Sequence, residues 1–196
     1  MTRPLFVLHD PPRDGPTNMA RDEALLHSPA IAPAVLRLYA WSPACLSLGR
    51  NQHACETYDA DLLRAAGVDV VRRPTGGLAV LHDHEITYCV LAPLALFGGP
   101  RAAYRAISEA LVDGLRHCGV EASLAVGGGR RDPRQDTAEP CFHAPADGEV
   151  VVQGLKLVGS AQRAERGALL QHGSILLGGS QDRILGMLAG AGATAD

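Results

Sequence analysis

The order of apolar segments predicts an α+β fold, with mixed or antiparallel sheets flanked by helices. Three observations carry that expectation. Strand-length runs outnumber helical stripes, several runs sit in hairpin-like pairs, and helices fall among them without the strand–helix–strand alternation of a doubly wound sheet. With 196 residues, 46% of them hydrophobic and 20% charged, the chain suits one domain with a sizeable core. We expect that domain to span residues 1–190, with 191–196 as a flexible tail that has nothing to pack against.

The elements follow in order. "PLFVLH" (4–9) reads as a strand and Pro11–Pro16 as a loop. A helix is expected to open near Thr17 or Asn18, both good N-caps. "AVLRLYAW" (34–41) and "ACLSLG" (44–49) read as strands separated by Ser42-Pro43. "TYDADLLRAAG" (57–67) is a helix that Gly67 stops, and "VDVVRRP" (68–74) a strand. "LAVLHDHEITYCVLAP" (78–93) is extended chain with a bend at its charged centre. Residues 101–119 carry apolar side chains at 104, 107, 111 and 115, a helical stripe. "VEASLAV" returns as a strand. Residues 127–140, "GGGRRDPRQDTAEP", show no apolar periodicity and are expected to form an exposed, mobile loop. "GEVVVQGLKLVGSAQR" reads as a hairpin turning at Gln153-Gly154, "ALLQHGSILL" (168–177) as a strand and "SQDRILGMLAG" (180–190) as a short helix.

Charge and composition exclude several classes of partner. A net charge of −3 and a pI near 6.2 give no global field for nucleic acid or an anionic membrane. No segment has the apolar length of a membrane span, and the N-terminal apolar run is too short for a signal peptide, so a cytoplasmic protein is expected. The five cysteines, 45, 55, 89, 118 and 141, form no CxxC pair. In a reducing compartment they read as buried small hydrophobes, one of them reactive.

Three polar stretches interrupt apolar strands. In "RRPTGGLAVLHDHE", adjacent Gly76 and Gly77 let backbone approach a ligand and free N–H groups to bind anions or carbonyls. The same residues also suit a plain hairpin turn. His82 and His84 stand at strand spacing, but nothing nearby completes a metal site, and no metal is expected. In "EPCFHAP", Cys141 lies at a loop edge beside His143, where a thiolate could be reached. The residues alone leave nucleophile and structural thiol both open. In "GLKLVGSAQR", Lys156 is the only lysine in a chain that otherwise uses arginine. Alternation turns it away from Leu155 and Leu157, and an ammonium within an apolar hairpin is costly unless it is paired or reaches water.

These same blocks, with "NMARDEALL" (18–26), "WSPACLSLGRNQ" (41–52) and "LLQHGSILL", closely resemble the biotin/lipoate protein ligase and octanoyltransferase superfamily, as far as about residue 188. The resemblance is nearest to the LipM-type octanoyltransferases. ATP-dependent lipoate ligases usually carry a third glycine after "GG" and a "HDxGN" stretch, where this chain has Leu78 and "HDHEITY".

The resemblance implies ping-pong acyl transfer with Cys141 as thioester carrier and Lys156 as the family lysine. It implies octanoyl-acyl carrier protein as donor, and an apo lipoyl domain such as glycine-cleavage H protein as acceptor. No cofactor is implied; ATP and magnesium enter only if the chain is a lipoate ligase. The implied substrate pocket draws on Arg72, Arg73, Gly76, Gly77, Ala79, His82, Gly159, Ser160 and Ala161, with Arg72-Arg73 as wall and steering charge. His172 is expected to support the fold through a hydrogen bond in a "QHG" turn. Family members commonly continue beyond "HGSILL", so a segment that helps bind the protein substrate or close the pocket is expected to be missing. A non-catalytic lipoyl-domain binder and an amidotransferase between lipoyl domains remain alternatives.

Overall fold

The computed structural model describes residues 4–28, 34–52, 57–127, 145–179 and 181–189. Cys55, Cys141, His143, all of the 127–140 loop after Gly127, and the 191–196 tail lie outside the described residues.

Two sheets organise the described chain. The larger has seven strands: β1 (Leu5–His9), β2 (Ala34–Tyr39), β6 (Glu85–Pro93), β7 (Ala122–Leu124), β8 (Val150–Val152), β9 (Leu155–Glu165) and β10 (Ala168–Leu176), in the spatial order β1-β2-β6-β10-β9-β8-β7. Only β1–β2 is parallel; its other neighbours are antiparallel. The smaller sheet has the order β4-β3-β5, built from β3 (Cys45–Leu48), β4 (Asp69–Arg72) and β5 (Val80–His82). The α+β expectation therefore holds.

Helices cover both faces of the large sheet, and strand alternation decides which side chain meets which. Cys89 and Leu91 of β6, with Leu170 of β10, pack with Met19 and Leu26 of helix α1 (Gly15–Leu26). Their neighbours Tyr88 and Leu169 point the other way, into a core with Ala103, Ile107 and Val112 of helix α3 (Pro100–His117). A third core joins the small sheet to helix α2 (Ala60–Ala65) and a terminal 3-10 helix, Gln181–Met187.

Several boundaries differ from expectation. Helix α1 starts at Gly15 rather than at Thr17 or Asn18, because Asp14 Oδ1 accepts the Thr17 N–H at 2.7 Å and Pro16 needs no partner for a missing N–H. The buried line of α3 runs through 103, 107, 108 and 112, one step from the expected stripe. The predicted bend in 78–93 is a change of sheet: Asp83 and His84 separate β5 from β6. The turn at Gln153-Gly154 stands where expected, both residues with positive φ as a two-residue hairpin requires. Cys45 and Cys89 are buried as read, whereas Cys118, just past α3, is exposed.

Candidate active site

The site begins where β4 hands over to β5. Arg73 is buried, and its guanidinium holds the intervening turn in place. Nη2 donates to the carbonyls of Gly76 (2.8 Å) and Leu78 (2.7 Å), and Nη1 to the Ser47 carbonyl at 3.0 Å. Arg72, expected as pocket wall and steering charge, does not line the cavity described below. It faces outward and gives its Nη1 hydrogens to the carbonyls of Gly49 (2.8 Å) and Gln52 (2.8 Å), tying down the neighbouring turn. These two turns touch through glycine. A Cβ on Gly49 would stand 1.9 Å from the Gly77 carbonyl oxygen, which is backbone and cannot yield cheaply. We expect Gly49→Ala to cost about 1–3 kcal/mol of stability, the usual penalty for overpacking, read as a lower denaturation midpoint in urea. An unchanged midpoint would show that the two turns are not locked together.

Between that turn and the β9–β10 hairpin lies a partly open cavity, about 460 Å³ when its open mouth is counted. Met19, Tyr39, Trp41 and Val80 give it an apolar wall; Gly159, Ser160 and Ala161 of β9 and Gly173 of β10 form another. Of the expected substrate residues, Arg73, Gly77, His82, Gly159, Ser160 and Ala161 meet around this cavity. Gly76 sits exposed at the turn, and Ala79 is buried in the small-sheet core with Leu46 and Leu81. Lys156 lies on β9, its side chain only 3% exposed, with Nζ 2.8 Å from Glu149 Oε1. The pocket lining does not include it. His84 is exposed while His82 is buried, so the two histidines do not converge.

Two buried polar networks support the cavity, and neither was legible as a unit in the sequence. In the first, His172 lies within strand β10, not in a turn. Its Nδ1 is 2.8 Å from Asp22 Oδ2 and its Nε2 2.7 Å from Thr75 Oγ1. Asp22 also accepts from Tyr39 OH (2.9 Å) and from Arg37 Nη1 (2.7 Å). Arg37 in turn reaches Asn18 Oδ1 at 2.8 Å and Asp10 Oδ2 at 2.7 Å. In the second, Glu85 Oε1 meets His82 Nδ1 (2.8 Å), Thr87 Oγ1 (2.6 Å) and Ser174 Oγ (2.7 Å). His82 Nε2 reaches Ser47 Oγ at 2.7 Å, and the ring stacks on Trp41 with centroids 4.2 Å apart.

Burial alone would raise both carboxyl pKa values. For Asp22 the hydrogen bond and charge of His172 and the Arg37 guanidinium outweigh it and hold the group below the usual carboxylate range. For Glu85 the His82 ring and the Thr87 and Ser174 hydroxyls do the same. A carboxyl with a lowered folded-state pKa contributes stability that is fully present above its ordinary value, here 3.8 and 4.5. That contribution is lost as pH falls through the folded value. Melting temperature is therefore expected to be level down to about pH 5 and to fall below it, less steeply in Glu85→Gln. A wild-type melting temperature that holds or rises below pH 4 would contradict this. Burial also pushes the Tyr88 hydroxyl up to about 12, so it stays protonated.

The sequence model of the lipoyl protein ligase A/B catalytic domain matches residues 14–195. Octanoyltransferase LipM of Kyrpidia tusciae is 47% identical over 178 residues, covering 87% of this chain and 65% of the relative. The chain spans 64–65% of the length of the first curated relatives it matches. Lipoate-protein ligase A solved with bound ATP superposes with a TM-score of 0.72 at 27% identity, covering 96% of this chain and 72% of the neighbour. A bi-partite lipoate protein ligase, solved in work on the archaeal lipoylation system and E2 lipoyl domain of Thermoplasma acidophilum, gives 0.72 at 25% identity, with 96% and 67% covered. By fold and by sequence, the chain belongs to the lipoyl protein ligase A/B catalytic domain family.

Proposed function

We propose that this chain moves an octanoyl group from acyl carrier protein to a lysine of an apo lipoyl domain, with Cys141 carrying the group as a thioester. The carrying observation is the pocket: an apolar cavity bounded by the Gly77 turn and the Gly159–Ala161 strand, in a chain 47% identical to a LipM octanoyltransferase. The Cys141 thiolate attacks the donor thioester carbonyl. A new C–S bond forms, the carrier's C–S bond breaks, and the released thiolate takes up a proton. The acceptor amine then attacks the acyl-enzyme, forms the amide, loses its extra proton and returns the cysteine. The Lys156 ammonium favours the Cys141 thiolate and stabilises the oxyanion of each tetrahedral intermediate. The chemistry calls for no ATP, magnesium or other cofactor, because the donor thioester is already activated. Glycine-cleavage H protein is the proposed acceptor, in a cytoplasmic setting. No helix among the described residues is long and apolar enough to cross a membrane.

The test supplies octanoyl-acyl carrier protein and apo H protein, with and without ATP, and follows intact mass. Modification of H protein without ATP is expected, through an enzyme carrying one octanoyl group. Strict ATP dependence would instead select a lipoate ligase, modification only from an octanoylated lipoyl domain an amidotransferase, and binding without modification a non-catalytic binder. Cys141→Ser is expected to lose the hydroxylamine-labile adduct. Its survival would remove Cys141 from the carrier role.

A further inference from the structure

A serine in the middle of a buried apolar strand is costly unless its hydroxyl is bonded. Ser47, in the β3 run "CLSL", is fully buried between Val71 of β4 and Val80 of β5. Its Oγ lies 2.7 Å from His82 Nε2, and Nδ1 of the same ring lies 2.8 Å from Glu85 Oε1. Glu85 is held ionised and already accepts the Thr87 and Ser174 hydroxyls. Such an acceptor takes the hydrogen of Nδ1, so Nε2 of the neutral ring keeps its lone pair and receives the Ser47 hydroxyl. Hydroxyl, imidazole and carboxylate thus stand in sequence, the arrangement that activates a serine as a nucleophile.

The same pattern occurs a second time, in Thr75, His172 and Asp22, and the comparison separates support from chemistry. Thr75 is buried and does not line the cavity, so its hydroxyl stays away from any ligand there. Ser47 and His82 both line it. Arg73 adds a further difference. Its Nη1 lies 3.2 Å from Ser47 Oγ and sets a fixed positive charge beside that oxygen. The charge favours an alkoxide there and the oxyanion that follows attack.

We propose that Ser47, with His82 as its base and Glu85 orienting the ring, is a second nucleophile of this cavity and gives the protein a hydrolase activity toward acyl esters and thioesters. The choice of acyl substrates rests on the acyl-transfer reading, whereas the nucleophile does not depend on Cys141. Ser47 Oγ attacks the acyl carbonyl and its proton passes to His82 Nε2. A new C–O bond forms, the ester C–O or thioester C–S bond breaks, and the leaving group takes that proton. Water then attacks the acyl-serine and gives a proton to His82. The carboxylic acid leaves, and the proton returns from His82 to Ser47 Oγ.

The experiment treats the full chain with octyl fluorophosphonate and locates the adduct by peptide mass. Phosphonylation of Ser47 is expected, with its loss in Ser47→Ala. His82→Gln is expected to slow labelling roughly 10²- to 10⁴-fold, the contribution of a positioned general base. In a Cys141→Ala background, which removes the competing thiol, Ser47→Ala is expected to abolish hydrolysis of 4-nitrophenyl octanoate. Melting curves control for folding. An unlabelled Ser47 in the wild type overturns the proposal, as does ester hydrolysis untouched by Ser47→Ala. If a variant does not fold, the labelled position in the wild type still decides. Octanoylation of a lipoyl domain, run in parallel, keeps the two ideas apart. Labelled Ser47 without transfer defeats the acyl-transfer reading and leaves the nucleophile standing, while transfer with Ser47 unlabelled does the reverse.

Discussion

Replacing Asp22 with alanine is expected to lower the melting temperature by roughly 6–20 °C. Asp22 is fully buried, and it is the one carboxylate shared by Arg37 and His172. Removing it leaves a guanidinium that is 1% exposed with, among the described residues, only Asp10 as a charged partner, and strands the Tyr39 hydroxyl. Breaking a buried pair in this way costs about 3–5 kcal/mol. For a chain of this size each kcal/mol corresponds to about 2–4 °C. Asp22→Asn keeps the shape and part of the hydrogen bonding, so its loss should be smaller. The melting curve of each variant decides. A shift under 2 °C for Asp22→Ala would mean that the network does not stabilise the fold.

Lys156→Arg is expected to fold normally and to lose on the order of 10²–10³ in acyl-transfer rate, the scale of removing one oxyanion donor. The Lys156 side chain is almost wholly covered, and its compact ammonium fits against Glu149 at 2.8 Å. A guanidinium keeps the charge but is wider, and it never gives up its proton at working pH. It therefore cannot reproduce a point charge in that space or relay a proton from the attacking amine. Initial rates of lipoyl-domain acylation, with a melting curve as the folding control, measure the effect. Near-normal turnover would leave the chain's single lysine without a catalytic role.

Elements governed by local chemistry were legible in the sequence. The Gln153-Gly154 turn, helix α3 and the extended run before Pro93 rest on periodicity and positive-φ positions within a few residues. Gly77 and Gly159–Ala161 were also found at the pocket, through family resemblance rather than spacing. The supporting networks were not legible, because their partners are far apart in the chain. One signal was available: an arginine inside the apolar strand "AVLRLY" must have a buried counter-charge. Arg37 has two, but nothing local says that they are Asp10 and Asp22. Arg72 and Arg73 stand side by side and read alike, yet strand alternation sends one outward onto the 49–52 turn and the other inward onto the 76–78 turn. The change of sheet at Asp83–His84 looked like a bend because periodicity records direction, not which neighbours a strand will take.

The His172–Asp22 bond joins residues 150 positions apart, Thr75–His172 spans 97 and Ser174–Glu85 spans 89. Strand β10 lies between β6 and β9 in the middle of the large sheet although, among the described residues, it is the last strand in chain order. A ribosome that has delivered everything through β9 has therefore produced a chain with an open slot between β6 and β9, and with Asp22 and Glu85 still lacking their β10 partners. Contacts of such long range form slowly. The cavity, which His172, Gly173 and Ser174 help to line, is therefore incomplete in any nascent chain shorter than about Ser174.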